Sequence, residues 1–312
     1  MTIVPFEEIW HADMNNGNGL LPLIKGVSDD EKNEQQGYVI VNQNPFPRGQ
    51  KRERSQTRQV NVLEEVHIPD KKLESYSLFK KLHDNYDWRR NKNDETPQAE
   101  LDEVNEFLNF AIKTAPMKIA RDFAIDKGKI SSTSSDEAWI NELKSIWFNQ
   151  YRRNSTSAFE HVFIGEQGEE GSLSGHHSWY HYHINDGPFE VTHQEDKIRF
   201  LEEVEVITSE KSRKAEIITI KYIYSASDEN GRTDLMKSKG GFFVGLSTEG
   251  LLAMGTVGFL DPKQRAAIPF VLNGENYSMT VWKTQDNRQD PRTFFPKFAK
   301  QSQREREPHP VF

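Results

Sequence analysis

Two histidines in the middle of the chain have the spacing and the neighbours of an acid–base pair. His161 lies in the segment FEHVFIGE and His177 in the segment SGHHSW, 16 positions further on. Imidazole titrates near pH 6.5, so at neutral pH one ring can take up a proton while another gives one away. Cleavage of a phosphodiester by a ribose 2′-OH needs these two transfers, together with a cation that stabilises the charged phosphorane.

The sequence around the histidines predicts two strands joined by a short loop. Phe159, His161 and Phe163 alternate with their neighbours, so Ala158–Ile164 is predicted to be a strand that ends at Gly165. The loop that follows is acidic and rich in glycine. Gly175 permits a sharp turn before an aromatic run, which predicts a second strand over residues 179–183.

Helical patterns dominate the chain before these strands. Thr96 and Pro97 form a helix start, and Ser134 with Glu137 forms a capping box. Helical spacing then makes one buried stripe from Leu101 to Ile112 and another from Trp139 to Tyr151. A further helix is predicted over residues 119–125, after Pro116, and the first helical segment is broken at residues 17–19.

Strand patterns dominate after the histidines. Residues rich in Val, Ile and Thr alternate with turn clusters. Ser247 is predicted to cap a helix that ends near Leu260, with Glu249 at its positive end. Strands are predicted at residues 38–41, 204–208, 217–224, 240–245 and 277–282. These patterns predict an α+β fold, in which a helical region (1–152) packs against antiparallel sheets that carry the cleft (153–298), followed by a polar tail (299–312).

Composition limits the classes of function. The chain has 312 residues, a net charge of −8 and 35% hydrophobic residues, so it is not a basic nucleic-acid coat protein. It has no apolar run of the roughly 20 residues that a membrane helix needs. The absence of cysteine and of a secretory signal pattern predicts a cytoplasmic protein. The basic run at residues 48–54 is interpreted as a solvated loop rather than an RNA guide, because no aromatic residues are interleaved.

The segment from Ser155 to Trp179 reads SxSxFEHVFIGE followed by SGxHxW, and it resembles the signature of the EndoU (poly(U)-specific endoribonuclease) family. The resemblance covers most of residues 5 to 285. It includes IWHAD at residues 9–13, LFKKLHDNY at residues 78–86 and LKSIWFNQY at residues 143–151. It implies an endoribonuclease that cleaves single-stranded RNA at uridine-containing sites, does not cleave DNA and leaves a 2′,3′-cyclic phosphate and a 5′-OH. We expect a monomer. The alternative is a catalytically weak RNA-binding protein that retains the fold.

The resemblance also implies a catalytic trio of two histidines and a lysine. His161 and His177 match the histidines, and we expect His177 to be the general base and His161 the general acid, with a swap left open. The lysine falls at Lys237 in an ungapped match to the following strand, and Lys239 is the alternative because it shares the face of an extended chain. The lysine would stabilise the phosphorane.

Two acidic residues match positions in the family motif. Family members are often activated by manganese or calcium, whose preferred ligands are oxygen atoms, so Glu160 and Glu166 are candidate ligands. An orienting or structural role is the alternative for both. A transition-metal cluster of histidines 176, 177, 181 and 183 is disfavoured, because these side chains are not expected to converge.

The residues expected to contact the base depart from the family pattern. Gly241 stands where members that prefer uridine have a serine. Val281 or Trp282 stands where they have a tyrosine, and Trp282 could stack on a base instead. Ser238, Ser247 and Thr280 are possible substitutes for the missing hydroxyl. We therefore expect the preference for uridine to be weaker than in typical members.

Overall fold

The computed structural model describes residues 3–45, 61–83, 85–89, 96–150, 156–186, 197–206, 214–228, 230–284 and 290–299. The basic run at 48–54 and almost all of the predicted polar tail lie outside these ranges. Within them, helices and mainly antiparallel sheets pack around a large hydrophobic core to which both halves of the chain contribute. The predicted α+β fold class is confirmed.

The described part of the first half of the chain contains five α-helices. Two helix starts differ from their predictions by one residue. Pro97 has an extended backbone and is itself the N-cap of α3. Ser135 caps α5, because the Ser134 hydroxyl is taken by the backbone N–H of Ser131 at 3.1 Å. The helices are α1 (Phe6–Asn16), α2 (Leu73–Leu82), α3 (Gln98–Ala111), α4 (Ala115–Asp126) and α5 (Asp136–Trp147).

Three separate three-stranded sheets complete the framework. The first contains β1 (Leu21–Ile24), β2 (Tyr38–Val41) and β3 (Leu63–His67), with β1 parallel to β2. A short hairpin of β4 (Glu166–Gln167) and β5 (Leu173–Ser174) lies between the two histidines. The second sheet contains β6 (Ile198–Val206), β7 (Ile217–Asp228) and β8 (Gly231–Phe243). The third contains β9 (Ala267–Leu272), β10 (Glu275–Lys283) and β11 (Pro291–Phe298), and β11 is a strand that the sequence did not predict.

The segment Ala158–Ile164 is helical, so its prediction as a strand is wrong. A helical turn at residues 158 and 159 continues as a π-helix over Glu160–Ile164. The Ser157 hydroxyl accepts a hydrogen bond from the N–H of Glu160 at 3.1 Å, and the Glu160 carboxylate accepts one from the N–H of Ser157 at 3.4 Å. This reciprocal pair is a capping box, which starts a helix. The alternation was misleading because the whole segment is buried and has no solvent face.

The aromatic run at residues 179–183 is also helical, so its prediction as a strand is wrong as well. It forms α6 (Trp179–Asp186), which begins where the Ser178 hydroxyl accepts a hydrogen bond from the N–H of His181 at 3.3 Å. The first four residues of this helix are buried. Aromatic residues favour strands because their side chains pack well against neighbouring strands. In this segment they are buried equally well on several sides of a helix.

The buried helix α7 (Thr248–Phe259) connects the two halves of the fold. Ser247 caps it as predicted, and α1, α2 and α4 pack against it. Asp13 of α1 accepts hydrogen bonds from the N–H and the hydroxyl of Ser247 at 2.8 and 2.7 Å. Burial, together with the nearby carboxylate of Glu249, raises the pKa of Asp13 to about 7. None of the described helices is long and apolar enough to cross a membrane.

Candidate active site

A glycine turn brings the histidine segments into backbone contact. The N–H groups of His176 and His177 donate to the carbonyls of His161 and Val162 at 2.8 and 2.6 Å. Gly175, with φ of 65°, approaches so closely that a Cβ there would lie 1.8 Å from the His161 carbonyl oxygen. Only glycine fits this position, because it has no side chain and tolerates positive φ. The turn predicted at Gly175 therefore holds the second histidine against the first.

A β-bulge distinguishes the two candidate lysines. Tyr222 of β7 pairs with Lys237 of β8, but the next pair is Ile220 with Gly240, so β8 carries one extra residue between them. A bulge re-aims the side chains around it. Lys237 is buried and donates a hydrogen bond to the Gly175 carbonyl, whereas Lys239 is exposed. The expectation that the two lysines share one face is thus wrong, and the preferred candidate is the one that lies at the histidines.

Burial governs the charge on Lys237. It lowers the lysine pKa to about 8, against the opposing effect of the Glu166 carboxylate. A group with this pKa is still mainly protonated at pH 7. The site therefore contains a buried cation beside the backbone of the second histidine segment.

His161 is paired with a carboxylate. Its Nδ1 lies 2.7 Å from Oε1 of Glu166, and both side chains are buried. Burial alone would raise the pKa of Glu166, but the charges of His161, Lys237 and Arg292 and the hydrogen bond from His161 lower it overall. The ionised carboxylate accepts a hydrogen bond from Nδ1, so this contact fixes the orientation of the ring and leaves Nε2 as the nitrogen for proton transfer.

His177 has the opposite environment. Its Nδ1 lies 3.2 Å from the Gly241 carbonyl, which can only accept, so Nδ1 carries the proton and Nε2 has a free lone pair. Burial lowers the pKa of His177 well below its usual value, and the charges of Lys237 and His161 lower it further. A neutral ring with a bare Nε2 is suited to accept a proton. The two histidines are therefore chemically unequal, as an acid and a base must be.

The predicted base-contacting residues lie on and beside the outer face of the β9–β10–β11 sheet. Thr280 pairs with Phe295 of β11, and Trp282, two residues along, has 54% of its surface exposed on the same face. Gly241 lies under the edge of β11, where a Cβ would be 2.9 Å from the Pro296 carbonyl oxygen. Gly241 thus contacts the site through its own carbonyl.

Strand β11 contributes aromatic and cationic groups that the sequence analysis missed. The Phe295 ring stacks on His177, with centroids 4.5 Å apart and planes 13° apart. Nζ of Lys297 lies 4.8 Å from the centroid of the Phe295 ring. The alternating segment TFFPKF is a strand signal, but Pro291 and Pro296 conceal it, because proline is excluded from central strands and tolerated at edges. β11 is an edge strand of its sheet.

The two candidate metal ligands have different neighbours. Glu166 is bonded to His161, while Glu160 caps its own helix and lines a cavity of about 570 Å³ with residues of α3 and α5. Among the residues that the structure describes, no group of three or more His, Asp or Glu side chains is arranged to hold a metal ion. These two carboxylates alone do not form the oxygen-rich donor set of a manganese or calcium site, and no step below depends on an ion.

His176 and His181 form a separate buried pair. His176 has φ of 61° and contacts the Tyr222 hydroxyl through Nδ1 and Nδ1 of His181 through Nε2, the latter at 2.7 Å. Burial lowers the pKa values of His176 and His181 well below their usual range. Both nitrogens of His176 are already bonded, and Nδ1 of His177 points to the Gly241 carbonyl, so these described histidines do not converge on one metal position.

The chain is similar to several known nucleases. Residues 22–296 match the family described as "Endoribonuclease XendoU". The chain is 25% identical over 287 residues to poly(U)-specific endoribonuclease-A of Xenopus laevis, covering 88% of this chain and 86% of that protein. It is 26% identical over 224 residues to uridylate-specific endoribonuclease C of Danio rerio, covering 69% and 67%. A solved structure of XendoU, described as a splicing independent snoRNA processing endoribonuclease, superposes with a TM-score of 0.63 at 20% identity, covering 94% of this chain and 95% of that one, which shows a shared fold.

Proposed function

Because the chain belongs to the XendoU family of endoribonucleases, we propose that it cleaves single-stranded RNA by attack of a ribose 2′-OH on the adjacent phosphate. The products are a 2′,3′-cyclic phosphate and a 5′-OH. The observation that supports this proposal is that the two histidines have different hydrogen-bond partners. His177 has a bare Nε2 and a lowered pKa, and His161 is hydrogen-bonded through Nδ1 to the buried carboxylate of Glu166.

Each proton transfer has one donor and one acceptor. His177 Nε2 takes the proton of the 2′-OH as the 2′-oxygen forms its bond to phosphorus. His161 Nε2 gives a proton to the 5′-oxygen as the phosphorus–oxygen bond to the leaving nucleotide breaks. The Lys237 ammonium stabilises the extra negative charge of the phosphorane between these steps. A substrate without a 2′-OH has no nucleophile, so the reaction is specific for RNA.

The substrate preference follows from the outer face of the last sheet. Trp282 presents exposed aromatic surface, on which any base can stack. Gly241 has no hydroxyl to bond a uracil edge. We expect uridine to be cleaved best and cytidine within a modest factor of it, because stacking discriminates less strongly than hydrogen bonding to a base edge.

Activation by manganese or calcium is a further part of the proposal. The family resemblance motivates it, and a metal would have to act through residues beyond the pair Glu160 and Glu166. Cleavage measured with EDTA and after addition of each ion tests it directly. Equal rates under all three conditions would refute activation without affecting the proton-transfer mechanism.

The decisive experiment uses end-labelled RNA with a single uridine in an otherwise unreactive sequence. We expect a cyclic phosphate end, and no cleavage when that uridine is replaced by 2′-deoxyuridine. His161→Ala and His177→Ala should each lower the rate by about 10²- to 10⁴-fold while circular dichroism shows a folded protein. A 3′-OH product would indicate a metal-activated water instead, and binding without cleavage would support the RNA-binding alternative.

A further inference from the structure

Strand β11 carries a cation on each side of its half-buried Phe295 ring. Arg292 and Lys297 are both exposed, and Phe295 lies between them. The strand contains no acidic residue, although the whole protein has a net charge of −8. Five residues of extended chain span about 17 Å. The two cations are therefore far enough apart to contact different groups of one extended ligand.

Arg292 is exposed because a β-bulge interrupts the pairing of β11 with β10. Trp282 pairs with Thr293, but the next residue, Lys283, pairs with Pro291, so Arg292 is the extra residue of a bulge. In a regular strand it would share the buried face of Phe294. The bulge instead turns Arg292 out to solvent. It lies near enough to Glu166, the partner of His161, for its charge to act on that carboxylate.

Lys297 lies at the other histidine. It is on the same face as Phe295, and its ammonium is above the ring that stacks on His177. Its charge also acts on His177. The strand therefore runs from the neighbourhood of the acid, at Arg292, to the neighbourhood of the base, at Lys297.

We propose that β11 binds the phosphates on either side of the scissile one and so fixes the direction in which RNA crosses the site. This inference rests on the proposed function, because the direction follows from the roles of the histidines. The leaving nucleotide must lie at His161, so Arg292 contacts the phosphate on its 3′ side. The nucleotide that supplies the 2′-OH must lie at His177, so Lys297 contacts the phosphate on its 5′ side. An acidic protein needs such local cations to hold a polyanion at one cleft.

Three small substrates test the two contacts separately. UpA contains only the scissile phosphate, UpAp adds a phosphate on the 3′ side, and pUpA adds one on the 5′ side. For the wild-type protein at low salt we expect kcat/KM to rise roughly twofold to fivefold with each added phosphate, as for an exposed charge pair. Arg292→Ala should lose the gain from UpAp only, and Lys297→Ala the gain from pUpA only. Lys118→Ala, which removes an exposed lysine of α4, should keep both gains.

Each outcome decides a different point. If the two variants exchange their effects, the proposed direction is wrong and the acid and base roles are reversed. If both gains persist in both variants, or the control loses them equally, β11 does not bind phosphate. If the wild-type protein cleaves none of the three, nor longer uridine-containing RNA, the proposed function fails and this inference with it.

Discussion

Replacing Glu166 by glutamine keeps the shape of the side chain and removes the charge that faces His161. The two groups are buried and 2.7 Å apart, so their hydrogen bond is charge-assisted. Such a bond contributes about 1.5–3 kcal/mol with a charged partner, against about 0.5–1.5 kcal/mol with a neutral one, so the substitution removes on the order of 1 kcal/mol. Since 1.36 kcal/mol corresponds to one pH unit, the protonated acid should be lost about 1 pH unit lower in Glu166→Gln.

The pH dependence of kcat/KM measures this effect. In a bell-shaped profile the basic limb reports the group that must be protonated, and the acidic limb the group that must be neutral. We expect Glu166→Gln to move the basic limb about 1 unit towards acid, because the carboxylate favours the protonated forms of both His161 and Lys237, while the acidic limb, which belongs to His177, stays in place. The assay is cleavage of a short uridine-containing RNA between pH 4 and 9.

Glu160→Gln is the matched control, because Glu160 is an equally buried carboxylate bonded to the Ser157 backbone rather than to a histidine. Its profile should keep both limbs. A uniform fall in kcat/KM at every pH in Glu166→Gln, with no movement of the basic limb, would refute the role of Glu166 in protonating the acid. Movement of the acidic limb instead would assign Glu166 to the base.

Three further predictions concern the lysine, the glycine turn and the buried carboxylates. Lys237→Ala should lower kcat by about 10²- to 10³-fold, and Lys239→Ala should leave it near the wild-type value, as measured in the same cleavage assay. Gly175→Ala places a Cβ 1.8 Å from a carbonyl oxygen, whereas Gly171, also at positive φ (72°), has open space around it. Urea denaturation should therefore show Gly175→Ala less stable than Gly171→Ala by more than about 2 kcal/mol. The folded pKa of Asp13, about 7, lies above its unfolded value of 3.8, so the folded state holds an extra proton and stability falls as pH rises between these values. Asp13→Asn should remove that slope, and its stability relative to wild type should improve by on the order of 2 kcal/mol between pH 5 and 8.

Short-range sequence signals predicted what depends on local contacts. The N-cap at Ser247 and the strand at residues 38–41 appear as predicted, because capping and a run of β-branched residues act within a few positions. The same kind of signal failed at residues 158–164. There the alternation predicted a strand, but the capping box of Ser157 and Glu160 formed a helix in a segment buried on every side.

Long-range geometry explains the remaining differences. The bulge that separates Lys237 from Lys239 depends on how β8 pairs with β7, and no single-strand pattern reveals it. Likewise, the aromatic residue that stacks on His177 is Phe295, which lies in a strand with two prolines. The sequence predicted an aromatic contact only from Trp282 of β10. Resemblance identified the histidine segments, and pairing between distant strands decides which other side chains reach them.

The bond between Asp13 and Ser247 also constrains the order in which the protein can fold. These residues are 234 positions apart in the chain, yet each satisfies polar groups of the other in the core. During synthesis α1 is made well before α7, and its buried carboxylate has no Ser247 partner until α7 has been made. Domains usually fold as units once their sequence is available. A chain that stops between α1 and α7 therefore leaves the apolar face of α1 exposed to chaperones and to aggregation.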